Sequence, residues 1–309
     1  MGRCDGMVAV VTGGSRGIGR AAALRLAHEG ADLALVARDV DGNRLGRSLA
    51  QTVAEVAALG RRAVPVAADL TDPAFPREQV IAQAEAALGP VDILVNNAAM
   101  SIFRNVIEWT PAKVRLMWEV NVLAPWELVT AVVPGMVQRG RGWIVNISSG
   151  VGEPTNARPG GAAYGGTKAM LDQMTRCLAL ELDGTPVTAN VVSPQAAART
   201  EFVNQLVERG AMQPAITEPL EAMAQAILAL ATAPPSVRGL VMRDLDLLDE
   251  LRQPVRTLDG RGVLEGYDVA DLPGRIAELA DAAARQQDLR GAWGTNWGTS
   301  DRKIGEGDS

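Results

Sequence analysis

A tyrosine and a lysine four residues apart, Tyr164 and Lys168, are the side chains whose types and spacing could carry out acid–base chemistry. A helix places residues i and i+4 on one face, so the phenol and the ammonium would lie side by side. A free phenol titrates near ~10, and proton exchange at neutral pH requires its phenolate to be favoured by about 4 kcal/mol. A nearby ammonium in a site that excludes water supplies much of that energy. The alternative is a helix in which Tyr164 packs and Lys168 is exposed, with no chemistry.

Two further polar side chains favour the chemical interpretation. Asn146 to Ser149 stand at the carboxyl end of a candidate strand, where open α/β sheets bind ligands. A serine hydroxyl there can hydrogen-bond a carbonyl or an alkoxide. Asn121 lies in an otherwise apolar helical stretch, Met117 to Pro125. A buried polar residue in such a place normally has a hydrogen-bond partner, and we expect one for Asn121.

A glycine-rich turn predicts a nucleotide site near the start of the chain. It directly follows the first candidate strand, opens a helix, and reads Thr12-Gly13-Gly14-Ser15-Arg16-Gly17-Ile18-Gly19. Glycines let the backbone approach a diphosphate, while free N–H groups and the helix dipole favour the anion. The alternative is a structural turn, but its place in the first strand–helix unit favours nucleotide binding.

The end of the second candidate strand favours NADP over NAD. A ribose 2′-hydroxyl recruits an acidic residue at this point, whereas a 2′-phosphate requires positive charge. The strand is expected to end at Ala37 and is followed by Arg38, and Arg16 can approach from the glycine turn. Two guanidinium groups can bind a phosphate in bidentate geometry. A strand one or two residues longer would instead present Asp39 and favour NAD.

The elements that must position these residues alternate between apolar, β-branched runs and stretches of helical spacing. This alternation predicts an α/β fold with a doubly wound parallel sheet and right-handed crossovers. Several strands are apolar nearly throughout, as expected when both faces of a sheet are covered. The candidate strands are 7–12, 32–37, 63–67, 91–96, 143–148 and 187–193, with a possible edge strand at 239–242.

The pattern changes after Pro235, and we expect one domain over residues 1–253 followed by a C-terminal extension, 254–309. A short acidic helix is expected over 244–252. The spacing of Leu272, Ile276, Leu279 and Ala283 predicts one apolar face of a further helix. The Gly-rich residues 290–309 contain two tryptophans and are expected to form either a tail or an arm that docks on a partner subunit or over the site.

Composition excludes several classes of protein. The 309 residues have a net charge of −6, which argues against a nucleic-acid groove or an anionic membrane surface. No apolar run approaches the ~18 residues of a membrane span, and no signal peptide is recognised. A single histidine, His28, and two cysteines cannot supply a zinc site, so no metal is expected. The default expectation is a cytoplasmic protein that acts on a small molecule.

Taken together, these motifs resemble the short-chain dehydrogenase/reductase family, from about Met7 to Thr200, and imply a single Rossmann-type domain. The resemblance rests on the glycine turn, Asp69, Asn96-Asn97-Ala98, Asn121, Ser149, Tyr164-x-x-x-Lys168 and Ser193-Pro194. It implies four catalytic residues: Tyr164 as acid/base, Lys168 lowering its pKa, Ser149 orienting the carbonyl, and Asn121 holding a water that relays protons. It also implies a set of cofactor-binding residues: Gly13, Ser15, Arg16, Gly17, Ile18, Gly19, Ala37, Arg38, Asp69, Leu70, Asn96, Ala98, Tyr164, Lys168, Pro194 and Thr200.

The function implied is NADP(H)-dependent interconversion of a ketone and a secondary alcohol, on a mostly apolar small molecule. The alternatives are a nicotinamide-dependent epimerase or dehydratase, and a dinucleotide-binding regulatory protein without turnover. The resemblance also implies a homodimer or homotetramer, built on the helix that carries Tyr164 and the helix before it. Met170, Leu171, Met174, Leu178 and Leu182 are the apolar candidates for that surface, although packing within the chain would explain them equally well.

Three positions depart from the family pattern. Ala99 replaces a glycine, and the loop from Ser149 to Tyr164 is longer than usual. Gln195 replaces the glycine that normally follows Pro194, in the segment that leads into the substrate lid. The lid is therefore expected to differ from the family, whereas the chemistry of Tyr164 and Lys168 is not affected.

Overall fold

The computed structural model describes residues 2–42 and 48–291, and of residues 286–291 only the backbone. The strands are Val8–Thr12 (β1), Asp32–Ala37 (β2), Ala63–Ala67 (β3), Ile93–Asn96 (β4), Gly142–Ile147 (β5), Val187–Ser193 (β6), Ala197–Ala198 (β7), Thr217–Glu218 (β8) and Val241–Arg243 (β9). The α-helices are Gly17–His28 (α1), Leu49–Ala58 (α2), Glu78–Leu88 (α3), Pro111–Trp118 (α4), Ala124–Arg139 (α5), Ala162–Glu181 (α6), Glu201–Glu208 (α7), Leu220–Ala231 (α8), Asp244–Glu250 (α9) and Leu272–Gly291 (α10).

Seven strands form one parallel sheet in the order β3-β2-β1-β4-β5-β6-β9, and β7 pairs separately with β8. Helices cover both faces of the sheet, and each face has its own apolar cluster, one including α1 and α8 and the other including α3 and α5. The predicted doubly wound α/β fold is confirmed. Burial on both faces explains why β1 and β4 are apolar in all but their last residue, and β6 is buried along its whole length.

The sheet register aligns the carboxyl ends of three central strands, where the candidate site residues lie. Val11 of β1 pairs with Val95 of β4, and Asn96 pairs with Asn146 of β5. The order of the strands reverses between β1 and β4, and this is the point at which open α/β sheets bind ligands.

The C-terminal extension packs on the α1/α8 face of the same domain. Val255, Tyr267, Leu272 and Leu279 are buried in the cluster that contains residues of both helices. The predicted apolar face of α10 is correct at Leu272 and Leu279, but Ala282 is buried where Ala283 was expected. From Leu279, Ala282 lies at i+3 and Ala283 at i+4, so the two flank the same line on the helix surface, and packing against the domain covers Ala282 and not Ala283. Trp293 and Trp297 lie outside the described residues.

One long helical stretch, Pro111–Arg139, combines α4, a π-helical turn over Glu119–Leu123, and α5. Its length and composition would suffice to cross a membrane, contrary to the expectation from uninterrupted apolar runs. Half of the most apolar 18-residue segment of this stretch is buried inside the protein, as in the core helix of a globular domain. The π-helical turn places one extra residue in the helix, a distortion that is frequent at functional sites.

Candidate active site

Tyr164 and Lys168 lie one turn apart near the start of α6, and both are buried, with 9% and 2% of their surfaces exposed. Nζ of Lys168 donates a hydrogen bond of 2.7 Å to the carbonyl oxygen of Ile147, the last residue of β5. The same Nζ lies 5.9 Å from the centroid of the Tyr164 ring. The helix and the strand end therefore hold the two groups together in the interior, and the interpretation with an exposed lysine is wrong.

Two adjacent serines after β5 have different partners. The hydroxyl of Ser149 is hydrogen-bonded to the hydroxyl of Tyr164, and its Oγ also accepts a bond of 3.4 Å from the backbone N–H of Val151. Ser148 is buried on the side of Asp172, whose pKa it lowers, and its Oγ forms no hydrogen bond of ordinary geometry among the described residues. The structure therefore places the second serine of the pair, and not the first, against the phenol.

Burial controls the acid–base properties of this group of side chains. Burial raises the pKa of Tyr164, and the hydrogen bond from Ser149 and the positive charge of Arg158 oppose the rise. Burial lowers the pKa of Lys168 to about 8, and the carboxylate of Asp172 opposes that change. The ammonium of Lys168 is directed at the Ile147 carbonyl and is itself destabilised by burial. The expected lowering of the Tyr164 pKa by Lys168 stays a prediction.

Asp172 was missed by the sequence analysis, although it stands four residues after Lys168 on the same helix face. It is 6% exposed and supplies the negative charge that supports the Lys168 ammonium. Together with Ser149 it borders a cavity of 780 Å³ between α6, β9 and α9, and Tyr164 does not line that cavity. Along α6, Asp172 therefore lies one turn after Lys168, and Tyr164 lies one turn before it.

Asn121 joins two elements of the site. It lies in the π-helical turn and is completely buried. Its Oδ1 accepts from the backbone N–H of Met100 at 2.9 Å, and its Nδ2 donates to the Met100 carbonyl and to Oγ1 of Thr167, both at 3.0 Å. The expectation of a partner for this buried side chain is confirmed. Both ends of the Asn121 carboxamide are bonded to protein groups. Its expected role in holding a water that relays protons to Lys168 therefore stays a prediction.

The glycine turn has the backbone geometry that only glycine adopts easily. Gly13 has φ +68° and Gly17 has φ +53°, and a Cβ added to Gly13 would lie 2.7 Å from Nδ2 of Asn97. Oγ1 of Thr12 accepts hydrogen bonds from the backbone N–H groups of Asn97 and Ala98, at 2.9 and 3.0 Å. The turn after β1 and the segment after β4 are therefore fixed to each other.

The residues expected to contact the rest of a dinucleotide lie along the same sheet edge. β2 ends at Ala37, so Arg38 follows it directly and Asp39 lies outside the strand; Arg16 and Arg38 are both exposed. Asp69 follows β3, and its Oδ1 accepts from the backbone N–H and the hydroxyl of Thr71, at 2.9 and 2.7 Å. The remaining predicted positions are placed as follows: Ser15 and Ile18 are half-buried at the glycine turn, Leu70 is buried, Asn96 donates to Asn146 at 2.8 Å, and Pro194 follows β6.

The first turn of α7 rests on the glycine turn, a contact that the sequence analysis missed. Oε2 of Glu201 accepts a hydrogen bond of 3.0 Å from the backbone N–H of Gly17. Thr200 is the N-cap of α7, its Oγ1 accepting from the N–H of Val203 at 3.2 Å. The carboxylate of Glu201 therefore already accepts the N–H of Gly17, one of the backbone donors that we predict to bind a diphosphate.

Two buried carboxyl groups hold the segment that departs from the family pattern. Oδ1 of Asp244 accepts from the N–H of Gln195, and Oε2 of Glu218 accepts from the N–H of Ala196, both at 2.9 Å. Their remaining oxygens, Oε1 of Glu218 and Oδ2 of Asp244, are buried and receive no hydrogen bond from the other described residues, so the two carboxyl groups can bond only to each other, through a proton carried by one of them. Burial raises the pKa of both, that of Asp244 to about 6. At least one is therefore protonated at slightly acidic pH.

The family model described as short chain dehydrogenase matches residues 7–210. This chain belongs to the short-chain dehydrogenase family. A short chain dehydrogenase of Pseudocercospora fijiensis is 38% identical to it over 196 residues, which are 62% of this chain and 60% of that protein. The ketoacyl reductase HetN of a Nostoc species is 34% identical over 63% of this chain and 65% of its own. This chain therefore matches less than two thirds of the length of either relative.

Two solved structures are similar to this short-chain dehydrogenase over 78% of its chain and 97% of theirs. One is a blue fluorescent protein from a metagenomic library in complex with NADPH, at 34% identity and a TM-score of 0.67. The other is a short chain dehydrogenase of Mycobacterium paratuberculosis bound to NAD, at 29% identity and the same TM-score of 0.67. The likeness supports an oxidoreductase with a nicotinamide cofactor.

The glycine turn of this short-chain dehydrogenase fits such a cofactor. The hydrogen bond between Gly17 and Glu201 shows that the turn presents a backbone donor to an anionic group. A Cβ at Gly13 would collide with Asn97 and one at Gly17 with Thr200, so the turn keeps this shape only with glycine at both positions. Within the described ranges, no group of three His, Cys, Asp or Glu residues could hold a metal ion.

Proposed function

We propose that this protein is an NADP(H)-dependent oxidoreductase that interconverts a ketone and a secondary alcohol on a mostly apolar small molecule. The observation that carries the proposal is the hydrogen bond between the hydroxyls of Ser149 and Tyr164, with the buried Lys168 one turn along α6. This arrangement offers two hydroxyl groups to one oxygen atom at the carboxyl edge of the sheet. A structural role alone would not require a buried lysine beside a buried phenol.

Each side chain has a defined part in the reaction. A bound nicotinamide supplies or accepts the hydride. The hydroxyl of Tyr164 gives a proton to the substrate oxygen during reduction and takes it back during oxidation. Ser149 hydrogen-bonds the same oxygen and orients it. Lys168, held at the Ile147 carbonyl, places a positive charge beside the phenol when it is protonated, and Asp172 favours that protonated state.

NADP is favoured over NAD by the charges at the end of β2. Arg38 directly follows the last strand residue, Ala37, and both Arg38 and Arg16 are exposed and available to a 2′-phosphate. Asp39 is two residues beyond the strand end, which is the arrangement that we expected for NADP. The similar structures include one with NADPH and one with NAD, so the choice rests on these side chains.

The substrate is proposed to be apolar because aromatic and aliphatic side chains surround the phenol. The ring of Phe103 meets that of Tyr164 edge-on at 5.6 Å, and Met100, Ile102 and Val151 pack in the same small cluster. Arg158 lies over the Phe103 ring at 5.3 Å and is the alternative, an anchor for an anionic substrate. Turnover confined to carboxylated or phosphorylated substrates would contradict the apolar proposal.

A panel of ketones and aldehydes with NADPH tests the proposed function through the absorbance of the reduced nicotinamide. Net loss of NADPH with formation of an alcohol supports it. Formation of product without net loss of NADPH would indicate an epimerase or dehydratase, and tight NADPH binding without turnover would indicate a regulatory protein. The inactive variant Tyr164→Phe is the control for adventitious oxidation.

A homodimer or homotetramer built on α5 and α6 remains part of the proposal. Leu171, Met174 and Leu182 do not contribute to it, since they are buried within the chain. The exposed apolar side chains on these helices are instead Trp126, Val137, Met170 and Leu180. Multi-angle light scattering on the purified protein measures the assembly, and a monomer at all concentrations would contradict it.

A further inference from the structure

The C-terminal extension and α1 together border a second, arginine-rich cavity that is partly open to solvent. Its volume is 330 Å³, and it is lined by Arg3, Arg25, Glu29, Gln225, Arg252, Gln253, Pro254, Arg256 and Gly260. Because α1 runs back from the carboxyl edge of the sheet, Arg25 and Glu29 at its end lie toward the opposite edge from the glycine turn. The residues from Gln225 to Gly260 also lie outside the stretch that the family model matches.

The charge of this cavity differs from that of the chain as a whole. Four of the lining side chains are arginines and one is a glutamate, whereas the whole chain carries a net charge of −6. Nη1 of Arg25 pairs with Oε1 of Glu29 at 2.7 Å, which neutralises one of the four guanidinium groups. Nη1 of Arg252 lies 3.9 Å from Oδ1 of Asp249, a long and exposed ion pair, so the excess positive charge of the cavity lies mainly with Arg3 and Arg256.

Two of the arginines are held at the cavity by the fold, Arg25 by its side chain and Arg256 by its backbone. The side chain of Arg25 is only 3% exposed, its Nε donates to Gln225, and Gly260 lies against its guanidinium. Arg256 is half-buried and its backbone forms a bridge with Val263. Within residues 2–42 and 48–291, no hydrogen bond or ion pair is formed by the Arg256 guanidinium.

Arg252 occupies a backbone position that glycine would fill with less strain. It has φ +53°, which within the described part of the chain is the only positive value outside glycine. It follows the end of α9, where the N–H of Gln253 bonds to the carbonyl of Leu248 at 2.9 Å, and helices ending in this way favour glycine. The side chain of Arg252 is 77% exposed and only loosely paired with Asp249, so at this strained position beside the cavity its guanidinium group can turn toward a bound anion.

We propose that this cavity is a binding site for a small molecule carrying phosphoryl groups. A guanidinium group forms paired hydrogen bonds with phosphoryl oxygens, and several guanidinium groups around one cavity match an anion of more than one charge. The cavity volume lies within the range of small-ligand sites. The site assigns a role to residues 252–260, which the active site does not use.

Calorimetric titration of the full chain with inorganic pyrophosphate tests the proposal. We expect saturable binding that weakens at least about tenfold in Arg256→Gln, since a hydrogen bond to a charged group is lost from a partly buried site. Arg252→Gly should weaken binding while leaving the melting temperature unchanged or higher, because glycine relieves the positive φ. Arg115→Gln removes an equal charge from an exposed position on α4 and should bind like the wild type.

Citrate and NADPH complete the experiment. Citrate of comparable charge should bind more weakly than pyrophosphate, and equal affinity would overturn the assignment of phosphoryl groups. Binding of pyrophosphate should persist in the presence of saturating NADPH. Absence of pyrophosphate binding, or binding that NADPH abolishes and that Arg256→Gln leaves unchanged, would overturn the site.

Discussion

Glu201→Gln should increase the affinity of the protein for NADPH. In the structure, Oε2 of Glu201 accepts the backbone hydrogen of Gly17 at 3.0 Å. The diphosphate of a dinucleotide uses the N–H groups of such a turn, and the same hydrogen cannot serve both acceptors fully. The first turn of α7 must therefore release Gly17 when the cofactor binds. None of the residues of α7 is fully buried, so this movement disrupts little packing.

The size of the effect follows from the kind of hydrogen bond that is lost. A bond to a charged acceptor contributes about 1.5–3 kcal/mol, whereas a bond between neutral groups contributes about 0.5–1.5 kcal/mol. The glutamine carbonyl keeps the geometry and removes the charge. Its replacement should therefore lower the free-energy cost of releasing Gly17 by about 1.4 kcal/mol, which is a tenfold lower Kd.

Fluorescence titration with NADPH measures this change directly. Glu208→Gln is the matched control, because it removes the same charge from the exposed far end of α7. Adenosine, which lacks the diphosphate, should bind equally to the wild type and to Glu201→Gln. If the Kd for NADPH is the same in Glu201→Gln and Glu208→Gln, the carboxylate does not compete with the diphosphate and the reasoning is refuted.

Three further predictions follow from the site. Tyr164→Phe should abolish turnover while leaving NADPH affinity nearly unchanged, because only the proton-transfer group is removed; steady-state kinetics that retain a tenth of the wild-type rate would indicate another acid. The double variant Arg16→Ala/Arg38→Ala should weaken NADPH binding far more than NADH binding in fluorescence titrations, and equal weakening would contradict the 2′-phosphate assignment. The melting temperature should fall as pH rises from 5 to 8, because the folded protein raises the pKa of Glu218 and of Asp244, the latter to about 6. Groups with a raised folded pKa stabilise the fold when protonated and lose that contribution as pH rises through the folded pKa. Glu218→Gln should flatten this profile, and an unchanged slope would exclude the pair as its source.

The fold could be predicted from the sequence because its signals are local. Apolar β-branched runs are separated by stretches of helical spacing, and the expected strands agree with the observed ones to within two residues. The errors are also local in origin. At α10 we predicted that the apolar face continues from Leu279 to Ala283, four residues later, but the helix buries Ala282, three residues later.

The site residues also fall into two groups: those that local spacing in the sequence predicts, and those whose contacts join distant parts of the chain. Tyr164 and Lys168 were found because they are four residues apart on one helix, and the glycine turn because it directly follows a strand. The partners of Asn121 could not be predicted, since Thr167 is distant along the chain and comes into reach only where α6 packs against the π-helical turn.

The sequence by itself determined which groups can do chemistry and which element carries each of them, because helix and strand periods depend on near neighbours in the chain. Only the tertiary structure decided which distant groups meet: Glu201 with Gly17, Glu218 with Asp244, and Arg25 with the turn at Gly260. These contacts join residues of different elements, and their hydrogen bonds and charges depend on the packing of helices around the sheet. Burial likewise sets the pKa values of Tyr164 and Lys168, since desolvation is a property of the folded interior and not of the residues that surround them in sequence.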